Sequence, residues 1–332
     1  MHGLDHISLE KHMKKIYFLL LGMVTAFYAD GQQWPQYSLY SWNQFAFNPA
    51  YAGMDGSLSF TGVFRKQWVG LDGSPSSQHA NLHLPVELLN SGFGLYLSND
   101  RIGAEQAVGV GMAYSYRLPL GSETVLAAGI NGQWMQYTLN GGRLRTPQGS
   151  YEGGGIDHND GLLPEGRFGA STTELGAGLY LENPRFQLGV SMQNALEPSF
   201  SQNDVLYTLD RTYIGFAGTR VDIGRHWQWL PSVLAKSNGT QWQVDWTNLL
   251  GYDGNFFGGL TFRGYDRLSV DAFAALAGVR LNDNFFLGYA YDFSISSLRR
   301  VNEGSHEVIL KYNLRKAIGK QRIPPVIYSP RF

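Results

Sequence analysis

Three groups of residues in this 332-residue chain have types and spacings that could do chemistry. The first is Ser77, His79, Asn81 and His83, which alternate along one stretch. A hydrolase relay needs a nucleophile, a base and an orienting group within hydrogen-bond reach. On a strand, alternate positions lie about 6–7 Å apart on one face, so these four line up without closing a relay. They read as polar filling of an interior. The second group, Asp157, His158, Asn159 and Asp160, lies in the glycine-containing stretch 153–161. Clustered oxygens can hold calcium, but the EF-hand spacing with its terminal glutamate is missing, and a solvated loop is the reading. No metal and no cofactor are expected. The third group is Asp245, Arg263, Asp271, Asp292, Glu307 and Lys311. These share the polar parity of alternating stretches whose other parity carries Trp242, Leu260, Leu287 and Val308.

Parity matters because the elements positioning these residues are strands. Leu58, Phe60 and Phe64 alternate with Ser57, Ser59, Thr61 and Arg65, and Ala80, Leu82, Leu84 and Val86 alternate with His79, Asn81 and His83. Phe93 to Leu97, Val108 to Tyr116 and Leu126 to Trp134 continue the pattern. Similar ladders lie near 171–181, 184–194, 209–222, 227–237, 240–249, 254–263, 268–281, 284–297 and 304–314. Period-two alternation over about fourteen segments of roughly ten residues is the signature of a bacterial transmembrane antiparallel β-barrel.

Composition agrees. Charged residues are 16%, aromatics 14%, and glycine numbers 41, whereas soluble domains carry about 25% charge. The mean hydropathy is only -0.21, and after residue 31 no run of about eighteen apolar residues appears, which excludes a helical membrane protein. A soluble sandwich would carry more charge on its solvent face. Net charge is -1, so no basic field points to nucleic acid. Cysteine is absent, which removes thiolate chemistry and Cys-ligated zinc. Charge facing lipid costs about 2–4 kcal/mol at the midplane, so the six mixed charges must face the lumen. There they form either an internal ion-pair lattice or the field of an open pore.

Met13-Lys14-Lys15, the apolar run to Tyr28 and the small-x-small site Ala29-Asp30-Gly31 read as a signal peptide over 1–31, started at Met13 and cleaved before Gln32. A periplasmic or lumenal segment over 32–56 and a barrel over 57–314 follow. The end, 315–332, contains Arg315, Lys316, Lys320, Arg322 and Arg331 with three prolines and no acid; it cannot continue a sheet and reads as a periplasmic tail. Links after the second, fourth, sixth and eighth strands are short. Those after the first, third, fifth and seventh are longer and peak at 140–170. Short periplasmic turns and long outer loops are the barrel rule, which puts both chain ends in the periplasm.

Within the segment before the first strand, Asn48-Pro49 initiates a turn and Gly53 permits a bend, while Phe45, Phe47 and Tyr51 suit packing on a wall. Trp34-Pro35-Gln36-Tyr37-Ser38, Asn43-Gln44 and Asn48-Pro49-Ala50-Tyr51-Ala52-Gly53 together resemble the mature N-terminus of the PorP/SprF family of outer-membrane proteins. Phe64 to Trp68, Leu175 to Tyr180, Leu230-Pro231-Ser232, Asp292 and Gly304 to Glu307 extend the resemblance over nearly the whole mature chain. It implies an outer-membrane location in a Gram-negative cell and a non-enzymatic role in type IX secretion or gliding motility. The implied partners are an exported surface protein with a type B C-terminal domain, periplasmic peptidoglycan-binding and motor-ring components, and outer-membrane lipid. The alternative is a transport pore for a small solute. Aromatic and arginine side chains most often anchor interfaces, so Trp68, Arg143, Arg145, Tyr151 and Arg299 in the outer loops are the candidate partner contacts.

Overall fold

The computed structural model describes residues 36–152, 155–161, 163–202, 205–265, 269–295 and 297–316; residues 201, 202, 205–207, 265, 269–271, 297 and 298 are described by backbone alone. Residues 1–35, among them the stretch read as a signal peptide and Trp34-Pro35, and the tail beyond Lys316 lie outside the described residues.

Alternation decides the architecture. In β1 (Ser59–Lys66), Ser59, Thr61, Val63 and Arg65 are buried while Phe60 and Phe64 are exposed. The same two-faced pattern runs through β2 (Ser76–Val86), β3 (Ser91–Ile102), β4 (Glu105–Pro119), β5 (Val125–Asn140), β6 (Arg167–Glu182) and β7 (Phe186–Gln193). A small hairpin of β8 (Ser199–Gln202) and β9 (Val205–Thr208) follows, then β10 (Thr212–Thr219) and its short continuation β11 (Val221–Ile223). The rest is β12 (Trp227–Ser237), β13 (Trp242–Tyr252), β14 (Phe256–Tyr265), β15 (Ser269–Arg280), β16 (Phe285–Ser294) and β17 (Ser305–Asn313).

All pairings are antiparallel between sequence neighbours, β10 pairs both β7 and β12, and β1 pairs β17. Setting aside the β8–β9 hairpin and counting β10 with β11 as one stave leaves a closed barrel of fourteen, as the alternation predicts. Closure removes every unpaired edge at the level of the apolar band, which a membrane requires because lipid offers backbone groups no partners. The outward positions, among them Leu95, Met112, Ile130, Leu179, Trp246, Leu260 and Leu310, form that band.

One link departs from the sequence reading. The third, expected to be long, is the two-residue turn Gly103-Ala104. Asn99, Asp100, Arg101, Glu105 and Gln106 stay paired above the apolar band, where polar residues fall on both parities and break the alternation.

The lumen is filled by the segment 36–58. It begins at the long-loop end, where Gln36 donates to Gln243 at 3.2 Å, and reaches the short-turn end, where the Ser57 hydroxyl donates to the Lys316 carbonyl at 3.0 Å. Loop lengths alone put both chain ends at the short-turn end; Lys316 lies there, but Gln36 does not, because the segment first runs the length of the lumen. Between them lie three single turns of 3-10 helix, Tyr40–Trp42, Gln44–Ala46 and Pro49–Tyr51. Leu39, Tyr40, Trp42, Phe45, Phe47, Ala50, Tyr51, Ala52 and Met54 are all buried, and divide between two apolar clusters with the inward side chains of the wall.

Candidate functional site

A chain inside a barrel loses water from its backbone, so every N–H and C=O needs a protein partner. Wall side chains supply many of them. Glu307 accepts the Ser38 N–H at 2.7 Å through one oxygen and the Leu39 N–H at 3.1 Å through the other. The Ser115 hydroxyl donates to the Ala52 carbonyl at 2.7 Å, and the Ser191 hydroxyl to the Phe47 carbonyl at 2.6 Å. The Tyr40 hydroxyl, from the segment itself, donates to the backbone of Ser232 and Asp245.

The mixed charges form one lattice around Ser38. Arg65 donates to Asp292 at 2.6 Å and to Glu307 at 3.0 Å. Arg263 grips Asp245 through Nε and Nη2, each at 3.0 Å, and reaches Asp292 at 3.2 Å through Nη1. The Ser38 hydroxyl donates to Asp292 at 2.8 Å. Buried ions are costly unless paired and hydrogen-bonded, and this geometry places each carboxylate against at least one guanidinium. Asp245, Arg263, Asp292 and Glu307 thus come together. Lys311 stands apart, toward Asp55. Asp271 falls at the register shift between β14 and β15, and its side chain lies outside the described residues.

Arg65 and Ser38 are the functional residues the sequence reading missed. Parity already turned Arg65 inward. Its partner Glu307 sits directly opposite in the β1–β17 seam, a pairing visible only once the ends of the chain are joined.

The turn motif has a defined role for each residue. The Asn48 side chain accepts the Ala50 N–H at 3.0 Å and donates to the carbonyls of Leu179 and Val190. Pro49 opens the turn at the position where a missing N–H costs nothing. Ala50 lies so close to the wall that a Cβ on Gly129 would overlap its backbone, and a Cβ on Gly92 would overlap the Ala52 carbonyl. The Tyr51 hydroxyl donates to Asp55 at 2.8 Å. Gly53 has φ +75, a left-handed backbone that favours glycine.

The histidines of β2 serve this same packing. His83 Nδ1 accepts the Gly53 N–H at 3.1 Å, and its Nε2 faces Asp55 at 3.5 Å. Asn81 reaches Asn43 at 2.8 Å and His79 at 3.2 Å. Among the described residues no serine bonds to either ring. In the long loop, His158 is buried and bonds Tyr151 and the Pro164 carbonyl, while Asp157 accepts the Asn159 N–H at 2.8 Å. Among the described residues no group of three or more His, Asp or Glu side chains could hold a metal.

The outer loops are stitched into one arc. Val69 donates to Gly304, Gly103 to Gly73, and Asn140 to Ala104 through backbone bonds of 2.8–2.9 Å. All five rim candidates lie on this arc. Arg143, exposed, donates to the Gly103 carbonyl at 3.2 Å. Arg145 is occupied within its own loop, stacked 4.5 Å over the Tyr151 ring and bonded to the Leu144 carbonyl. Trp68, half-buried, donates its N–H to the Ser305 hydroxyl at 3.2 Å, and Arg299 is exposed.

Among solved structures, the chain is similar to the outer membrane protein Omp33 of Acinetobacter baumannii, at 9% identity and a TM-score of 0.46, covering 78% of this chain and 99% of that one. It is also similar to the Ralstonia pickettii toluene transporter TbuX, at 10% identity and a TM-score of 0.44, covering 80% and 91%. Likeness at that level carries no argument about function. No curated protein matches. The model of the type IX secretion system membrane proteins PorP/SprF matches residues 29–312. With that match over nearly its whole length, the chain belongs to the PorP/SprF family of type IX secretion system membrane proteins.

Proposed function

We propose that this outer-membrane barrel is a non-enzymatic scaffold: it holds an exported protein at the cell surface and links it to periplasmic parts of the machinery. The observation that carries the reading is the filled lumen. A pore for a solute needs a continuous polar path, whereas here Trp42, Phe45, Phe47 and Tyr51 occupy the interior and the charges that could line a path are spent on one another and on Ser38. The rim arc supports a docking role, because loops tied to each other present a fixed surface. Within it Arg143, Arg299 and Trp68 are the side chains best placed to meet a partner, and Arg145 and Tyr151 shape the loop.

The test pairs conductance with retention. Purified barrel in a planar bilayer should give no stepwise conductance. In cells, the R143A/R299A variant should release the exported partner into the medium while the barrel still assembles. Open-channel steps from the wild type would favour the solute pore instead, and a partner that stays on cells carrying the variant would remove the rim arginines from the reading.

A further inference from the structure

Above the apolar band one strand of the closed sheet has a free edge. β5 and β6 stay paired up to Asn140 and Arg167, whereas β7 leaves β6 at the pair Ala177 and Met192. The Leu175 carbonyl accepts the Ala195 N–H at 2.9 Å on the β7 side, which fixes the parity of β6. Arg167, Gly169, Ser171 and Thr173 therefore aim their backbone N–H and C=O groups toward the place β7 has vacated. No described residue bonds to them. Their side chains are exposed, and Trp134, paired with Thr173, is the last outward apolar residue of β5. The edge thus runs roughly 20 Å along the strand past the aromatic level.

Such an edge is a template for another strand, and proteins normally blunt it with lysine, proline or a bulge. Here the run Gly169-Ala170-Ser171-Thr172-Thr173 has neither residue and keeps regular pairing with β5. Nor does the β8–β9 hairpin take the edge: Phe200 and Leu209 pack with Tyr137 and Phe168 on the inward parity. β7 and β10 end below the edge, at Gln193 and Thr212, and the β8–β9 hairpin packs against the inner face of β6 without pairing to it. An edge left bare beside the ends of two short strands suits a slender extended segment.

We infer that residues 167–173 of β6 are a β-augmentation site, which takes an extended strand of the exported partner as an added strand. The inference rests on the proposed role of the outer mouth in holding that partner. It assigns affinity to backbone hydrogen bonds, so it is tested by removing N–H donors that the barrel itself does not use. In S171P/T173P both lost donors face the vacant side, and the ladder to β5 is untouched.

The probe is a purified type B C-terminal domain of an exported protein from the same genome, added to the barrel in detergent. The expected result is at least tenfold weaker binding to S171P/T173P at unchanged melting temperature. The conservative variant S171T should bind as the wild type does. Hydrogen exchange at Gly169, Ser171 and Thr173 should slow when the domain binds the wild type. Equal binding to S171P/T173P, or no slowing at these amides, overturns the edge while leaving the holding role intact. Absence of binding to the wild type overturns the holding role, and the edge falls with it.

Discussion

At the scale of single residues, the feature with the largest consequence is Glu307. It accepts two successive backbone N–H groups of the lumen segment and one guanidinium, so a single carboxylate joins the plug, β1 and β17. Replacing it with alanine strands Arg65 partly unpaired in a dry interior and should cost about 3–5 kcal/mol. Removing both ends, as in R65M/E307L, should cost less than the sum of the singles, because neither change then leaves a lone charge. Urea unfolding from lipid vesicles, followed by the gel shift of the folded barrel, measures both. Additive losses would mean that the pair is not coupled. The charges themselves were legible in the sequence: parity alone turned Asp245, Arg263, Asp292 and Glu307 inward. Which charges would meet was not legible, since that depends on the stagger of staves far apart in the chain.

At the scale of elements, the lumen segment and the wall are fitted to each other. Burying each aromatic of the segment is worth about 1.5–3 kcal/mol, and glycines at Gly92 and Gly129 let the backbones approach closely. A side chain at Gly129 collides with backbone, which cannot swing away. G129V should therefore push the Asn48–Tyr51 turn off the wall and convert a silent barrel into one with stepwise conductance in planar bilayers. G215V places a side chain where nothing lies within 4 Å, and should stay silent. Conductance equal in the two variants would mean that the turn does not seal the lumen. The turn was readable from Asn48-Pro49 and Gly53. Its placement inside the barrel was not, because aromatic residues in a short loop suit an inner wall or an outer surface equally.

At the scale of the whole molecule, loop lengths give an orientation. The links 67–75, 141–166, 194–211 and 295–304 stand at one end, and the turns 87–90, 120–124, 183–185 and 281–284 at the other, beside Ser59 and Asn313. With the long-loop end outward, an epitope inserted after Gly155 should bind antibody on intact cells, and one fused after Phe332 should bind only after the outer membrane is opened. Surface labelling of the C-terminal epitope on unbroken cells would invert the barrel. The strand count was legible because lipid enforces alternation; the tall outer parts of β3 to β6 were not, because water enforces nothing on either face.

The lumen segment touches all fourteen staves, from Arg65 on β1 through His83, Phe45 against Tyr96, Ser115, Ala50 beside Gly129, Tyr51 against Tyr180, Ser191, Phe216, Ser232, Asp245, Arg263, Trp42 beside Gly278, Asp292 and Glu307. A hollow cylinder yields first by flattening, since opposite walls can approach at little cost. A cylinder with a tight core cannot flatten, and behaves mechanically as a rod. Tension applied at the long loops would then reach the short turns with little lost to deformation. Pulled along its axis, such a rod loads the ladder bonds of neighbouring staves together in shear instead of peeling them one at a time.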